Sequence, residues 1–467
     1  MVYGPNVAIA AGLRLPDGHM KTSEGDNLPI VDGRFAAGDV RAAENPSLTA
    51  LQTLFVREHN TQVDRLHAVH PELSGDQLYD QARAIVTAEI AHITYSEFLP
   101  HLLGRDALAA YDGYDPAVDP RITVEFAGAA YRWGHSTVSA ETERKDEAGE
   151  VTGPELELRD AFFLPPTEFA EDGGAGGFLR HLGTDLAQAM DGRIVEDLRN
   201  FLFDPPVGLD LAAINIQRGR DLGLGTLNET RAVLGLEPYT DFHQITGDAA
   251  TADALRAAFG TIDQVDLWTG GLSETHAPGA FIGTTFRNII TVQFEHLRNG
   301  DRLWYQNQGF DPETLAVIEN TRLSDVILRN TDTAHIQDDV FVIFERRGNE
   351  VEPEHPDAPQ LVVGSNGRAT LIGGPQGDIL VAGGGRQTLT GLDGDDRFVF
   401  DAPVRATVTD FQPGHDTVEF GQASGQSFTD LDIRGRHGHT VLRLGEYRVD
   451  LPGVQPEDLS SGDFIFA

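Results

Sequence analysis

Leu371-Ile372-Gly373-Gly374-Pro375-Gln376-Gly377-Asp378-Ile379 is followed by Leu380-Val381-Ala382-Gly383-Gly384-Gly385-Arg386-Gln387-Thr388 and then by Leu389-Thr390-Gly391-Leu392-Asp393-Gly394-Asp395-Asp396-Arg397. Set out this way, the stretch has a period of nine. Val362, Leu371, Leu380, Leu389 and Phe398 are equally spaced apolar anchors. Gly364, Gly373, Ala382 and Gly391 stand two residues after the first four anchors, and Ala369, Asp378, Gln387 and Asp396 stand seven after them. A fixed period of this kind predicts stacked repeats, because one repeat cannot bury its apolar face alone.

The repeat is similar to the nonapeptide of calcium-binding RTX β-rolls, with Gln376 and Leu392 in place of two of the motif's glycines. In such a roll two nonapeptides make a full turn, so residues eighteen apart share an edge. Asp378 and Asp396 would then share one edge and Ala369 and Gln387 the other. The first edge offers carboxylates and glycine carbonyls to a hard cation, and the resemblance implies calcium held by Asp378 and Asp396. Asp410-Phe411-Gln412-Pro413-Gly414-His415-Asp416 continues it, and Asp463-Phe464-Ile465-Phe466-Ala467 suits the acid and apolar tail of type I export. The implied location is extracellular, with the type I secretion machinery as a partner.

Upstream, residues 350–360 carry three prolines and four acids, a stiff solvated linker. The expected division is a mainly α domain at 1–348, a linker at 349–360, a β-roll at 361–400 and a β-rich cap at 401–467. In the first part Asn45-Pro46 reads as a helix start, with Leu48, Leu51, Phe55, Val63 and Leu66 as its stripe. Ser74 to Gln77 reads as a capping box before Leu78, Ala82, Ile85, Val86, Ile90 and Ile93, with Pro100 as the limit.

Composition closes several doors. The 467 residues hold 35 Lys and Arg against 73 Asp and Glu, a net charge of −38, which leaves no basic footprint for nucleic acid. Only Lys21 and Lys145 are lysines, a bias that fits a GC-rich bacterial gene. With no cysteine, disulfides, thiolate catalysis and iron–sulfur clusters are excluded. The run Val7–Leu13 is too short for a membrane span and lacks a basic flank for a signal peptide.

The chemistry must therefore come from histidines and carboxylates. There is no H-E-x-x-H, G-x-S-x-G or Walker loop among the sixteen histidines and their neighbours. His135 stands out in Ala129-Ala130-Tyr131-Arg132-Trp133-Gly134-His135, with small residues on approach and Arg132 three positions before it. A neutral imidazole beside an arginine suits a haem, whose iron takes an axial nitrogen and whose propionates take cations; a core histidine is the competing reading.

Gly38 to Pro46, Leu54 to Asn60, Tyr131 to His135, Ile214 to Asp221, Asp266 to Gly271 and Gly300 to Tyr305 resemble, in order, blocks of the animal-type haem peroxidases of the peroxidase–cyclooxygenase superfamily. The resemblance covers about residues 2–347. It implies haem b, with His135 as the iron ligand and Asn215 on its other ring nitrogen. Arg41 is implied as the distal arginine, Glu44 as a carboxylate able to form a haem ester, and Arg132 and Arg218 as propionate partners. It implies a secreted peroxidase that reduces hydrogen peroxide with halides, phenols or other small donors. A fatty-acid dioxygenase and an inert RTX surface protein are the alternatives.

The family's distal histidine, its adjoining haem-linked aspartate and a calcium site normally lie before the Val2-Tyr3-Gly4 motif. An internal start assignment is the expected cause of their absence, and His59 belongs to a helix block unsuited to replace the histidine. Without that base, peroxide cleavage is expected to slow by about 10²–10⁴.

Overall fold

A computed structural model describes the chain except residues 1, 148, 201–208, 335, 344, 349–357, 365–366, 401, 422, 424–425, 437–438 and 467. Most of the expected linker lies outside the described residues. The chain divides into two units, Met1–Phe341 and Val342–Ala467. This division precedes residue 348 because strand β1 (Glu345–Gly348) pairs in parallel with β2 (Gln360–Val363).

The first unit is mainly helical, with two short antiparallel ribbons at 30–35 and 141–157. Helix α1 (Pro46–Val69) starts where its sequence signal lies: Asn45 Oδ1 accepts the Leu48 N–H at 2.9 Å, and Pro46, which needs no donor there, follows. Helix α2 (Gly75–Ile93) opens with the Ser74–Gln77 capping box. On α2 the expected Leu78, Ala82, Val86 and Ile93 are buried. On α1 the expected stripe is mostly half-buried. The deep face instead carries Ala50, Thr53 and Leu54 with Glu58 and His59, all at 0% exposure. Polar side chains satisfied by distant partners hide that face from an apolar-periodicity reading.

Pro100 does not end the helix at the preceding residues. Thr94–Phe98 forms a π-turn in which the Leu99 N–H reaches back to the Thr94 carbonyl, and the chain continues as α3 (Leu99–Leu103). Pro100 falls in the first turn of α3, where its missing N–H costs no helical bond. Three further helices matter below: α4 (Leu211–Asp221), α5 (Thr284–Asn299) and α6 (Leu323–Asn330). Among the described residues no helix is long and apolar enough to cross a membrane.

A buried polar knot joins α1, α2 and α6. Arg329 donates to both oxygens of Glu58, at 2.7 and 3.0 Å, and to Glu89 Oε1 at 2.9 Å. Asn330 and Gln62 add hydrogen bonds to Glu58. Burial, with Glu58 alongside, pushes the Glu89 carboxyl up to about 8.

The second unit is a parallel β-solenoid. Its remaining strands are β3 (Gly367–Ile372), β4 (Ile379–Ala382), β5 (Gly385–Thr390), β6 (Arg397–Phe400), β7 (Val404–Val408), β8 (Thr417–Phe420), β9 (Asp432–Arg436), β10 (His439–Leu444), β11 (Tyr447–Pro452) and β12 (Phe464–Phe466). One sheet runs β12-β8-β6-β4-β2-β1 and is parallel throughout. The other runs β9-β10-β11-β7-β5-β3, parallel from β3 to β11 and antiparallel across β9 to β11. Leu361 pairs with Ile379 and Ile379 with Arg397, the expected step of eighteen; Arg397 to Thr417 is twenty. All five anchors, Val362, Leu371, Leu380, Leu389 and Phe398, are at 0% exposure. The architecture is thus the expected one, a mainly α unit followed by a parallel β-roll-like solenoid.

Candidate functional sites: a histidine line and a carboxylate ladder

His135 ends a 3-10 helix, Ala130–His135, that follows the Thr123-capped turn Val124–Gly128. Asn215, on α4, is the residue of that helix that is fully buried. The two elements bring a line of side chains together. Arg132 Nη1 donates to Asn215 Oδ1 at 2.9 Å, and Asn215 Nδ2 lies 2.7 Å from His135 Nδ1. An amide nitrogen can only donate, so Nδ1 accepts here. Arg132 is anchored in turn by Nε to the Ala127 carbonyl at 2.8 Å, and Trp268 Nε1 donates to the Arg132 carbonyl. Burial first, then the Arg132 charge, pushes the His135 imidazole below its ordinary range, so it is neutral at pH 7. Burial and the charge of Arg218 lower Arg132 likewise. This centre has a neutral imidazole oriented through one nitrogen and two cations near each other that favour an anion.

Arg41 and Glu44 are placed differently. Arg41 is 67% exposed at its side chain and turned back on Asp39, with Nε to Oδ1 at 3.0 Å and Nη2 to Oδ2 at 2.9 Å. Glu44 is half-buried, and its carbonyl accepts the Phe163 N–H. A cavity of about 320 Å³ is lined by Asn45 to Ser47, just after Glu44, and by Thr137 to Ser139, just after His135. The two motif segments therefore meet across one space. His59 is fully buried, with Nδ1 2.9 Å from the Tyr3 hydroxyl and Nε2 3.0 Å from the Gly18 carbonyl. Both of its nitrogens are engaged in packing the unit's core.

The same cavity carries a group that sequence reading passed over. His181 Nδ1 lies 2.5 Å from Asp185 and 4.0 Å from Glu143. Lys145 Nζ, 2.6 Å from Asp185, already supplies positive charge there.

In the solenoid, Asp378 and Asp396 do stack on one edge, and Ala369 pairs with Gln387 in the opposite sheet. The edge is longer than the repeat suggests. Asp396 Oδ1 accepts the Asp378 N–H at 2.8 Å, and Asp416 Oδ1 accepts the Asp396 N–H at 2.9 Å. Asp378 Oδ1 takes the Gln360 N–H at 2.7 Å, and Asp463 Oδ1 takes the Gly414 N–H at 2.7 Å. Asp378, Asp396, Asp416 and Asp463 are exposed by 1–2% only. A Cβ on Gly373 or Gly391 would strike the carboxylate of Asp378 or Asp396, which is why glycine stands at both places. Desolvation, then the charges of Asp416, Asp378 and Asp410, push Asp396 up to about 7, and burial raises Asp416. Asp416 was legible in the Asp410-to-Asp416 segment, but its step of twenty concealed that it continues the row. Asp463 arrives from the far end of the sequence and carries no repeat signal.

Residues 1–341 match the family model described as animal haem peroxidase. Peroxinectin A of Dictyostelium discoideum is 35% identical over 366 residues, covering 73% of this chain and 67% of its own length. Thyroid peroxidase of Sus scrofa is 39% identical over 320 residues, covering 66% of this chain. The chain spans 34% of that protein's length. Among solved structures, peroxidase A from Dictyostelium discoideum matches with a TM-score of 0.66 at 33% identity, covering 73% of this chain and 69% of that one.

Proposed function

Because the chain belongs to the animal haem peroxidase family, we propose that its helical unit holds haem b through His135 and reduces hydrogen peroxide while oxidising halides, phenols or other small donors. The observation that carries this reading is the hydrogen-bonded line from Arg132 through the buried Asn215 to His135. The donor set fits the group: a neutral imidazole with Nδ1 already engaged, and two arginines near enough to face carboxylates. When bound, the haem supplies the redox-active iron at which peroxide is reduced.

The chain's own residues orient and charge that site. His135 Nε2 would hold the iron, so the imidazole proton must sit on Nδ1. Asn215 must then present Oδ1 rather than Nδ2, and the amide turns over. Arg132 gives up Asn215 Oδ1 in that exchange and, with Arg218, faces the propionates. Glu44 is the candidate for an ester link. Arg41, once released from Asp39, is the fixed charge for the leaving oxygen of peroxide. His59 is not a candidate for the proton-accepting base, since both its nitrogens are engaged.

The solenoid reading is a calcium-binding RTX roll exported by a type I route to the cell exterior. The buried row Asp378-Asp396-Asp416, where the charges of Asp416, Asp378 and Asp410 press on Asp396, supports it. Calcium at Asp378 and Asp396 would neutralise that repulsion.

His135→Ala is expected to abolish the Soret band of the haem-loaded protein, while Asn215→Leu retains a weakened one. An unchanged spectrum in His135→Ala overturns the assignment. Oxygen uptake with linoleate in place of peroxide turnover would move the reading to a dioxygenase.

A further inference from the structure

Four tyrosines, one tryptophan and Phe294 form a row in the helical unit that branches at Trp304. Tyr131 is on the 3-10 helix that ends in His135, four residues before it, about 8 Å along such a helix. Its ring lies 5.6 Å from Phe294 on α5, and Phe294 lies 5.6 Å from Tyr95 in the π-turn. Tyr95 is 4.8 Å from Trp304, and Trp304 is 4.6 Å from Tyr305 and 6.0 Å from Tyr111. Packing alone would be served by phenylalanine. Here the hydroxyls are individually placed: Tyr95 donates to the Phe294 carbonyl at 2.7 Å, and Asn307 donates to the Tyr111 hydroxyl at 2.7 Å.

The far end of the row meets a base. The Tyr305 hydroxyl lies 3.4 Å from His92 Nδ1 and 3.5 Å from Glu319 Oε1. The tautomer of His92 follows from its neighbour. Ser96 Oγ donates to the His92 carbonyl at 2.8 Å, so its oxygen accepts from His92 Nε2 at 3.2 Å. That leaves the Nδ1 lone pair facing Tyr305. Burial lowers the His92 pKa, which keeps it neutral and able to take a proton.

His92 and Glu319 are also on the wall of a cavity of about 580 Å³. Glu97, Asp325 and Asp338 line it with them, and Arg322 is its one cation, 3.0 Å from Asp338. The wall is therefore net negative.

We propose that this cavity is a second oxidation site, at which Tyr305, buried behind His92 and Glu319 and fed through Trp304 and Tyr95, oxidises cationic electron donors. The proposal rests on the peroxidase reading above. Peroxide takes two electrons and two protons to become water, leaving two oxidising equivalents in the loaded protein. For each, one electron leaves Tyr305 through Trp304 and Tyr95, and the phenolic proton passes to His92 Nδ1. A donor in the cavity then returns one electron, Tyr305 recovers the proton, and the donor leaves as its one-electron oxidised form. Two donor molecules are consumed per peroxide.

The test uses the full haem-loaded chain with two donors, iodide and a lysine-rich peptide bearing one tyrosine. Tyr305→Phe and Trp304→Phe are each expected to lower the ratio of peptide to iodide turnover at least ten-fold. Glu319→Gln with Asp325→Asn should raise the KM for the peptide several-fold with no change for iodide. Without any donor, peroxide with a nitroso spin trap should leave an adduct on Tyr305 that mass spectrometry maps and that Trp304→Phe reduces. A loaded protein that oxidises iodide, with the peptide ratio and the adduct pattern indifferent to Tyr305→Phe, overturns the relay alone. Absence of both a Soret band and iodide oxidation overturns the peroxidase reading and the relay with it.

Discussion

The two units bury carboxylates in opposite ways. In the helical unit Glu58 and Glu89 are at 0% exposure, and Arg329 bonds both. In the solenoid Asp378, Asp396, Asp416 and Asp463 are as deep, and each accepts a backbone N–H from another turn, with the Ser460 hydroxyl also donating to Asp463. A buried acid needs its charge countered or removed. The helical unit carries one counter-charge, Arg329, within the fold, and Glu89, raised to about 8, holds a proton beside it at neutral pH. In the solenoid the charges pressing on Asp396 are those of Asp416, Asp378 and Asp410, so an added divalent cation should act there and leave the helical unit unaffected.

The largest effect should come from taking the internal counter-charge away. Arg329→Ala leaves two buried carboxylates facing each other and is expected to cost about 3–5 kcal/mol in denaturant unfolding of the helical unit. A cost below about 1 kcal/mol would mean that the knot contributes little and the contrast is unfounded.

The next concerns pH. Asp396 is raised from 3.8 to about 7. Between those values the folded form binds a proton that the unfolded form does not. Stability is therefore lost as pH rises through that window, by up to about 4 kcal/mol. Calcium in the proton's place should flatten the solenoid's curve, whereas the parallel fall expected from Glu89, raised from 4.5 to about 8, should persist. Thermal melts read by β-sheet and helical circular dichroism, with calcium and with chelator, separate the two. Equal flattening of both would erase the distinction between the units. In chelator at neutral pH, Asp396→Asn should stabilise the solenoid and remove its calcium response, while Gln387→Ala should not affect that response.

A smaller effect is expected from Asp463→Ala, which strips acceptors from the Gly414 and Ser460 N–H groups, 2.7 and 2.6 Å away. The loss should be about 1–3 kcal/mol in the solenoid transition alone. The smallest concerns Leu392, held at φ 80° in the left-handed region. Leu392→Gly should stabilise by about 1 kcal/mol, since it restores the residue that tolerates that conformation. Destabilisation would show that the leucine side chain packs usefully despite its backbone.

What the sequence made legible follows the range of the interactions involved. The five anchors, the Ser74 box and the Asn45-Pro46 start are local signals, and all three are where they were expected. His135, Asn215 and Arg132, named from the family resemblance, meet in space although eighty residues separate the first two. Spacing alone could not have joined them. The polar face of α1 was misread because its partner Arg329 is 271 residues from Glu58. Arg41 was assigned a distal role, yet in the fold its nearest claim is on Asp39, two residues away, a local pairing that a family pattern does not reveal.

The π-turn at Thr94–Phe98 has a consequence for tolerated insertions and deletions. Such a turn holds one residue more than the α-helix it interrupts. Losing one codon there would let the helix close into regular geometry with α3 kept in phase with α2, whereas the same loss inside α2 would rotate everything beyond it by about 100°. Tyr95 and Glu97 lie in the turn itself, and Leu99, Leu102 and Leu103 just beyond it are buried. A single-residue deletion in this segment is therefore absorbed by the turn, whereas one within α2 is a phase error that would swing Leu99, Leu102 and Leu103 out of the core.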